Sequence, residues 1–327
     1  GFIDKQGNEI IPLKYDYARS FSEGLARVEL NGKQGFVDKL GNEIIPLKYD
    51  YARSFSEGLA PVKLNGKWGF IDNQGNTIIP FRYDSTESFS EGFAVVKFND
   101  SWGFIDKGDN EVVPTKYDLV FPFSEGLAEV CLEDKYGFID KQDNGVIPIK
   151  YDSAYSFSEG LAAVKLNGKW GFVDKLGNEV IPIKYDYADP FNEGLARVSL
   201  NGKWGFVNKA GKEIIPLKYK GAHEFSEGLA AVTLNTKIGF TNKEGRVVIP
   251  FKYDLVWNFS EGLAVVMVNN ETAVINKKGE IIVPFSKYDW IGSFKEGLAS
   301  VSIDDRNKDG KHYGLIDHWG REYFSNR

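Results

Sequence analysis

The sequence is poor in the residues that build metal, redox and disulfide chemistry. Its 327 residues contain one cysteine, Cys131, one methionine and three histidines. A single cysteine excludes an internal disulfide framework and a zinc site built on cysteines. The histidines, His223, His312 and His318, have no metal-like spacing to cysteines or carboxylates. We therefore interpret Cys131 as a free thiol and expect no cofactor, with one possible exception for calcium that is described below.

Strong charge and long apolar runs are also missing. There are 46 acidic and 40 basic residues, a formal net charge of -6, and the basic residues are dispersed. We therefore expect no nucleic-acid partner. No apolar run approaches the ~20 residues of a membrane-spanning helix, so we expect no membrane span. The chain begins inside a motif at Gly1, which indicates a fragment or a processed form, and the sequence assigns no localisation.

What the sequence has in abundance is repetition. A glycine followed by an apolar pair recurs every 34 residues, at Gly35, Gly69, Gly103, Gly137, Gly171, Gly205 and Gly239. A fixed period of this kind indicates a repeat protein, in which each unit buries its apolar faces against its neighbours. We therefore predict one repeat array over residues 1–327. Its units are 1–34, 35–68, 69–102, 103–136, 137–170, 171–204, 205–238, 239–272, 273–313 and a partial unit, 314–327.

We predict that each unit is a small antiparallel meander of three clear strands and a short fourth. In the unit 35–68, residues 35–38 form a strand with both faces apolar, and Asp-Lys-Leu-Gly leads through a turn into a second strand that Pro46 ends. Residues 59–64 alternate with period two and form another strand. Asn65-Gly66 is the strongest short-range hairpin signal, because a type I′ turn needs positive φ at both central residues.

Between the second and the last of these strands lies a crossing segment, residues 47–58. We expect a short extended piece near Tyr49, an anchor at Phe55 and a turn at Ser-Glu-Gly58. No stretch has a helical period long enough to predict a helix. The residues that we expect to hold the array together are Phe55, Gly58, Trp68, Gly69, Trp102, Trp170 and Trp204.

The repeated motif resembles that of a known family. Residues 67–72 and 169–174 read Lys-Trp-Gly-Phe-(Ile/Val)-Asp, surrounded by Ile-Pro, Lys-Tyr-Asp and Phe-Ser-Glu-Gly-Leu-Ala. This pattern is similar to that of the bacterial WG (KWG) repeat family and covers essentially the whole chain. The resemblance implies β-rich interaction modules without a shared catalytic residue. Ile238, Thr272 and Ala273 depart from the motif in the last units.

The predicted fold is therefore all-β, with the units stacked as an open superhelix or solenoid. The alternative is a closed β-propeller of nine or ten blades. We favour the open stack because the two chain ends supply the same strands and do not complement each other. A period of 34 residues is also short for a four-stranded blade, whose known repeats run to about 40 residues or more.

The many carboxylates of the repeats do not indicate an enzyme. A catalytic acid and base need distinct environments, whereas Asp16, Glu23 and their equivalents recur in similar ones. We expect these groups to satisfy turn amides instead. One local motif, Asp305-Arg-Asn307-Lys-Asp309-Gly, fits the first half of a calcium loop. The twelfth position is Ile316 where a glutamate would complete the site, so a polar hairpin insertion is the simpler interpretation.

The remaining candidate is a surface. The third and fifth positions of each Tyr-Asp crossing vary between units, so we expect them to be exposed on one side of the array and free to contact a partner; ordinary edge packing is the alternative. We name these positions the crossing face. Its candidate binding residues are Tyr17, Arg19, Tyr51, Arg53, Phe121, Tyr155, Tyr187, His223, Trp257 and Trp290. Aromatic and charged side chains suit a protein or carbohydrate contact. The sequence thus predicts a non-enzymatic scaffold for protein binding or self-assembly, with a carbohydrate or cell-wall binding module as the alternative.

Overall fold

A computed structural model describes residues 1–3, 9–12, 14–304 and 311–324. Regular structure in these residues is β-strand throughout, which confirms the all-β prediction. No helix in this part of the chain is long and apolar enough to cross a membrane. Asp305, Asn307 and Asp309 of the calcium hypothesis lie outside the described residues. The chain divides into two compact units, which we call the first and the second unit: residues 1–157 with 175–177, and residues 158–174 with 178–327. The 34-residue units of the sequence are called repeats in the description of the structure.

The first unit contains the pair β1–β2, four four-stranded antiparallel sheets and the short strand β19. The sheets are β3–β6, β7–β10, β11–β14 and β15–β18, each with its strands in chain order. The strands are β1 (Phe2–Ile3), β2 (Glu9–Ile11), β3 (Tyr17–Ala18), β4 (Ala26–Leu30), β5 (Lys33–Val37), β6 (Glu43–Tyr49), β7 (Tyr51–Ala52), β8 (Ala60–Leu64), β9 (Lys67–Ile71), β10 (Thr77–Tyr83), β11 (Ser85–Thr86), β12 (Phe93–Phe98), β13 (Ser101–Asp106), β14 (Glu111–Tyr117), β15 (Leu119–Val120), β16 (Ala128–Leu132), β17 (Lys135–Ile139), β18 (Gly145–Tyr151) and β19 (Ser153–Ala154).

The second unit begins with the antiparallel meander β20–β22 and continues with the sheets β23–β26, β27–β30, β31–β34 and β35–β38. Its strands are β20 (Ala162–Leu166), β21 (Lys169–Val173), β22 (Glu179–Tyr185), β23 (Tyr187–Ala188), β24 (Leu195–Leu200), β25 (Lys203–Asn208), β26 (Glu213–Tyr219), β27 (Gly221–Ala222), β28 (Leu229–Leu234), β29 (Lys237–Asn242), β30 (Val247–Tyr253), β31 (Leu255–Val256), β32 (Leu263–Val268), β33 (Glu271–Asn276), β34 (Ile281–Val283), β35 (Trp290–Ile291), β36 (Leu298–Asp304), β37 (Lys311–Asp317) and β38 (Glu322–Phe324).

The boundary between sequence repeats runs through the middle of each sheet. In the sheet β7–β10, strands β7 and β8 come from one 34-residue repeat, and β9 and β10 come from the next. The Asn65-Gly66 hairpin joins them, with φ of 51° and 81° as a type I′ turn requires. The prediction that a meander lies inside one repeat was therefore wrong, because the hairpin pairs strands across the repeat boundary.

The proline of each repeat lies within a strand. We predicted that Pro46 ends its strand, but β6 runs through it to Tyr49. The register shifts there, since Gln34 pairs with Tyr49 while Phe36 pairs with Ile45, and such an irregularity accommodates a residue that cannot donate. Gly35 lies opposite, where a Cβ would meet the Ile45 carbonyl oxygen at 2.5 Å. The recurring glycine thus allows the close backbone approach at this bulge.

The core lies between successive sheets. One buried cluster of the first unit contains Phe36 of the sheet β3–β6 together with Ala52 and Val62 of the sheet β7–β10. Phe55 is 3% exposed and meets the edge of Phe36 at a centroid distance of 4.9 Å. Phe55 therefore packs between these two sheets, where the sequence predicts an anchor, and within the unit one sheet covers the next as a repeat fold requires.

The Ser-Glu-Gly turns connect neighbouring sheets by polar contacts. Ser56 and Leu59 exchange backbone hydrogen bonds, and Glu57 and Gly58 both have positive φ. The Ser56 hydroxyl donates to the carbonyl oxygen of Phe89 in the next repeat at 2.8 Å. The Glu57 carboxylate accepts the N–H of Gly92 and pairs with Lys107 at 3.2 Å. The predicted turn is confirmed, and its glutamate binds the following repeat.

Candidate binding surface

The crossing strands lie at one edge of the four-stranded sheets. β3 pairs with β4 through Tyr17 opposite Glu29, and the Arg19 N–H donates to the Arg27 carbonyl oxygen at 3.0 Å. The third crossing position therefore lies in a two-residue edge strand, and the fifth position directly follows it. Edge strands have one side without a neighbouring strand, so their side chains reach solvent more readily.

The crossing face is partly exposed. Tyr17, Tyr51, Phe121 and Trp290 are 41%, 44%, 37% and 49% exposed, and Arg19 is also exposed. The other members are half-buried, namely Arg53, Tyr155, Tyr187, His223 and Trp257. Their accessible surface is therefore uneven.

Several crossing residues also take part in packing. Trp257 contacts a buried cluster of the second unit, and Tyr187 lies 5.5 Å from the ring of Trp204. The His223 Nδ1 is 3.3 Å from the Asn258 Oδ1. Packing and exposure thus coexist at these positions, and the two interpretations offered by the sequence apply to different residues.

Arg53 joins two neighbouring sheets of the first unit. Its guanidinium donates to both carboxylate oxygens of Glu87, at 2.6 and 3.0 Å, and lies 5.6 Å from the centroid of the Trp68 ring. Glu87 occupies the fifth crossing position of the following repeat. This variable position therefore contributes to the contact between repeats, which is the edge-packing alternative.

An aromatic and cationic group at the start of the first unit stands out. Tyr17 and Tyr51 of successive crossings both lie near Arg27 of β4, whose guanidinium carbon is 5.7 and 5.2 Å from the two ring centroids. The Arg19 guanidinium carbon lies 5.1 Å from the centroid of the Tyr17 ring. Arg27 was missed from the sequence, although it is one of the five positions at which the first two repeats differ.

The residues assigned to holding the array are mostly buried. Trp68 and Trp170 are 7% and 6% exposed, whereas Trp102 and Trp204 are half-buried. Trp68 pairs with Tyr83 across β9 and β10 and meets the edge of the Tyr51 ring. The tryptophan side chain at this repeat position therefore contacts a residue of the crossing face.

The repeated aspartates are occupied by structural contacts. The Asp50 carboxylate accepts hydrogen bonds from the Lys33 ammonium, at 2.8 Å, and from the Gly66 N–H. These contacts, chiefly the one with Lys33, lower the pKa of the Asp50 carboxyl. Asp84 pairs with Lys67 in the same way, and its pKa is lowered as well. Such carboxylates stay ionised and bonded near neutral pH, as expected for turn-holding groups.

One carboxyl differs from all of these. Glu129 in β16 is 3% exposed, and burial raises its pKa to about 7. Its Oε2 accepts a hydrogen bond of 3.3 Å from the Ser156 hydroxyl. Cys131 on the same strand is buried too, and burial raises the pKa of its thiol. In the part of the chain that the structure describes, no group of three or more potential metal ligands is found.

Together, the meander sheets, the shared cores and the repeated turns define a tandem β-repeat protein. The chain belongs to the WG containing repeat family. The family model matches residues 1–33, 35–68, 68–101, 102–136, 136–170, 170–204, 204–237, 238–271 and 274–306. No curated protein sequence matches this chain.

Several solved structures are similar to this chain at low sequence identity. A crystal structure described as the eukaryotic initiation factor is 11% identical, with a TM-score of 0.54 over 89% of this chain and 92% of that one. Hsv2 of Kluyveromyces lactis is 10% identical over 80% of this chain and 95% of its own, with a TM-score of 0.38. PorZ, a surface component of the type-IX secretion system of Porphyromonas gingivalis, is 11% identical, with a TM-score of 0.32 over 98% of this chain and 53% of its own. The likeness to the first of these structures concerns the fold alone.

Proposed function

We propose that the chain is a non-enzymatic repeat scaffold that binds a protein partner or further copies of itself through the crossing face. The observation that carries this proposal is the contrast between positions. The buried glycine and aromatic positions recur, whereas the crossing face changes its aromatic and charged residues from repeat to repeat and is partly exposed. Aromatic residues and arginine are the side chains that contribute most to protein interfaces.

A matched pair of variants tests the proposal. Tyr17→Ala, Tyr51→Ala and Phe121→Ala together remove exposed rings of the crossing face. Leu40→Ala, Ile44→Ala and Ile78→Ala remove three apolar side chains that are exposed elsewhere in the same unit. We expect the first variant to lose a concentration-dependent increase in mass by light scattering, or a cross-linked protein partner, and the second to retain it. Equal behaviour of the two variants contradicts a role of the crossing face.

The second candidate is a carbohydrate-binding module. It is favoured by the exposed rings of Tyr17, Tyr51 and Trp290, because an exposed aromatic ring offers a flat apolar face beside polar groups. A glycan array distinguishes the two functions. Tight selective glycan binding by a protein that stays monomeric and captures no protein favours the carbohydrate module and overturns the scaffold.

A further inference from the structure

Arg27 is a buried cation without a carboxylate partner in the described residues. Arg27 is only 7% exposed, and its Nη1 donates a hydrogen bond to the Ala52 carbonyl oxygen. Its Nε has no hydrogen-bond acceptor among the described residues, and no ion pair of Arg27 is found there. A buried charge is costly unless it is paired and hydrogen-bonded. An anion bound at the Arg27 guanidinium would offset this cost.

A later repeat provides an internal comparison. Arg197 occupies the same repeat position as Arg27. Its Nη1 donates to the Ala222 carbonyl oxygen, and its guanidinium lies 6.0 and 5.0 Å from the rings of Tyr187 and Trp204. The contacts with Ala222 and Tyr187 repeat those of Arg27 with Ala52 and Tyr17, whereas Trp204 stands where the first repeat has Gln34. Here the Nε donates to the Asp189 carboxylate at 2.5 Å. The fold thus places a carboxylate against this arginine when the sequence supplies one.

The first repeat has a second cation, Arg19, at the repeat position of Asp189. Where the later repeat has Asp189, the first has Arg19, which is exposed and lies against the ring of Tyr17. Glu29 lies two residues beyond Arg27 on β4, and its carboxylate accepts a hydrogen bond from the Gln34 Nε2 at 2.7 Å. No ion pair between Glu29 and Arg27 occurs in the described part of the chain. The acid on the same strand is thus bound to Gln34.

We infer that Tyr17, Arg19, Arg27 and Tyr51 form a binding site for a carboxylate, supplied by an aspartate or glutamate of an acidic peptide segment in a protein partner. The partner's carboxylate takes the position that Asp189 occupies against Arg197. Arg27 supplies the buried hydrogen bond, Arg19 adds charge at the entrance, and the tyrosine rings border the site. The inference rests on the proposed function, since it assigns a ligand chemistry to part of the crossing face.

The test uses a fluorescein-labelled oligoglutamate peptide and fluorescence anisotropy at physiological ionic strength. Arg19→Asp copies the later repeat and provides Arg27 with an internal carboxylate. We expect this variant to bind the peptide about tenfold more weakly, which corresponds to the loss of one charge-assisted hydrogen bond. Its melting temperature should not fall, because the change is at an exposed position and pairs a buried charge.

Lys39→Asp is the matched control, because it makes the same change in charge at an exposed turn of the same unit. It should bind within about twofold of the wild type, as for a screened charge outside the site. Asp189→Arg is the converse variant and should add a second peptide-binding site. Equal losses in Arg19→Asp and Lys39→Asp would indicate general charge attraction and overturn the inference.

Two further outcomes are informative. If oligoglutamate binds no better than oligoglutamine, the site does not take carboxylates. If inorganic phosphate displaces the peptide and a phosphoserine peptide binds more tightly, the anion is a phosphate and the assignment to carboxylate is wrong. In both cases, loss of partner binding in the crossing-face variant would leave the scaffold proposal intact, so the two failures can be told apart.

Discussion

Two kinds of glycine in the repeat serve different physical purposes, and substitution should separate them. A Cβ at Gly69 would lie 2.5 Å from the Ile79 carbonyl oxygen, whereas a Cβ at Gly58 would meet nothing within 4 Å. Gly58 has a φ of 87°, so alanine there is strained only by its own backbone. We expect Gly69→Ala to lower the free energy of unfolding by about 3 kcal/mol and Gly58→Ala by about 1 kcal/mol. Urea denaturation of the two variants measures the difference, and equal losses would contradict the assignment of Gly69 to the bulge.

The buried Glu129 makes stability depend on pH. Its pKa is raised from 4.5 to about 7 in the folded chain. A raised carboxyl pKa means that the folded state holds the proton more tightly, so this stability is fully present below pH 4.5 and is lost as the pH rises through 7. The loss is about 3 kcal/mol at about 1.4 kcal/mol for each unit of pKa.

Glu129→Gln should remove this dependence. The neutral amide keeps the shape of the protonated acid, so the variant should melt at a higher temperature than the wild type above pH 7 and show a flatter profile between pH 4.5 and 7. Glu43→Gln changes an exposed carboxyl of the same unit and should leave the wild-type profile in place. A parallel profile for Glu129→Gln and the wild type would show that Glu129 does not titrate in this window.

Single residues were predictable from the sequence where the repeat restricts them. Phe55 was identified as an anchor because an aromatic residue recurs before each Ser-Glu-Gly turn. Arg27 was not identified as a candidate residue. Alternation along a strand places its side chain on the face away from Ala26 and Val28, but alternation does not show that both faces of the strand are buried. That fact depends on the neighbouring sheet, which a single repeat does not reveal.

The Ser-Glu-Gly turn couples neighbouring sheets through its glutamate. Glu57 accepts the Gly92 N–H at 3.1 Å and pairs with Lys107, although about a third of its side chain is exposed. Glu57→Gln should lower the free energy of unfolding by about 1 kcal/mol, because an exposed ion pair contributes little and the amide hydrogen bond is weakened without being lost. The effect should shrink at high salt.

Glu43→Gln is again the appropriate comparison, since it removes the same charge from an exposed strand position. Its effect should be well below that of Glu57→Gln in the same thermal denaturation series. Equal effects would mean that the contact between turns does not stabilise the array beyond net charge.

The strands were largely predicted, whereas their grouping was not. The Asn-Gly turn and the period-two alternation indicated the β8–β9 hairpin, because both depend on local backbone geometry. The prediction that Pro46 ends its strand failed because a proline can be accommodated where the register shifts. A repeat in sequence has no intrinsic starting point, so the choice of Gly35 as a unit boundary could not indicate which strands share a sheet.

At the scale of the whole molecule, the period of the sequence determines that the fold is a repeat array. It does not determine whether the array is open or closed into a ring. The first two repeats differ at five positions, among them Gln34 and Trp68, yet form sheets of the same order. Near-identical units must repeat one rotation. Whether that rotation closes a ring depends on a few degrees per unit, which residue identity does not specify.

The open stack predicted from the sequence has a measurable consequence. Packed sheets are about 10 Å apart, so nine units in an open stack should give a maximum dimension of about 90 Å, whereas the same units closed into a ring should give about 60 Å. Small-angle X-ray scattering at several protein concentrations measures this dimension and separates it from self-association. The crossing-face variant Tyr17→Ala/Tyr51→Ala/Phe121→Ala is the suitable control, because it should remain monomeric if this face mediates assembly. A dimension near 60 Å for the monomer would contradict the open stack and favour the closed propeller.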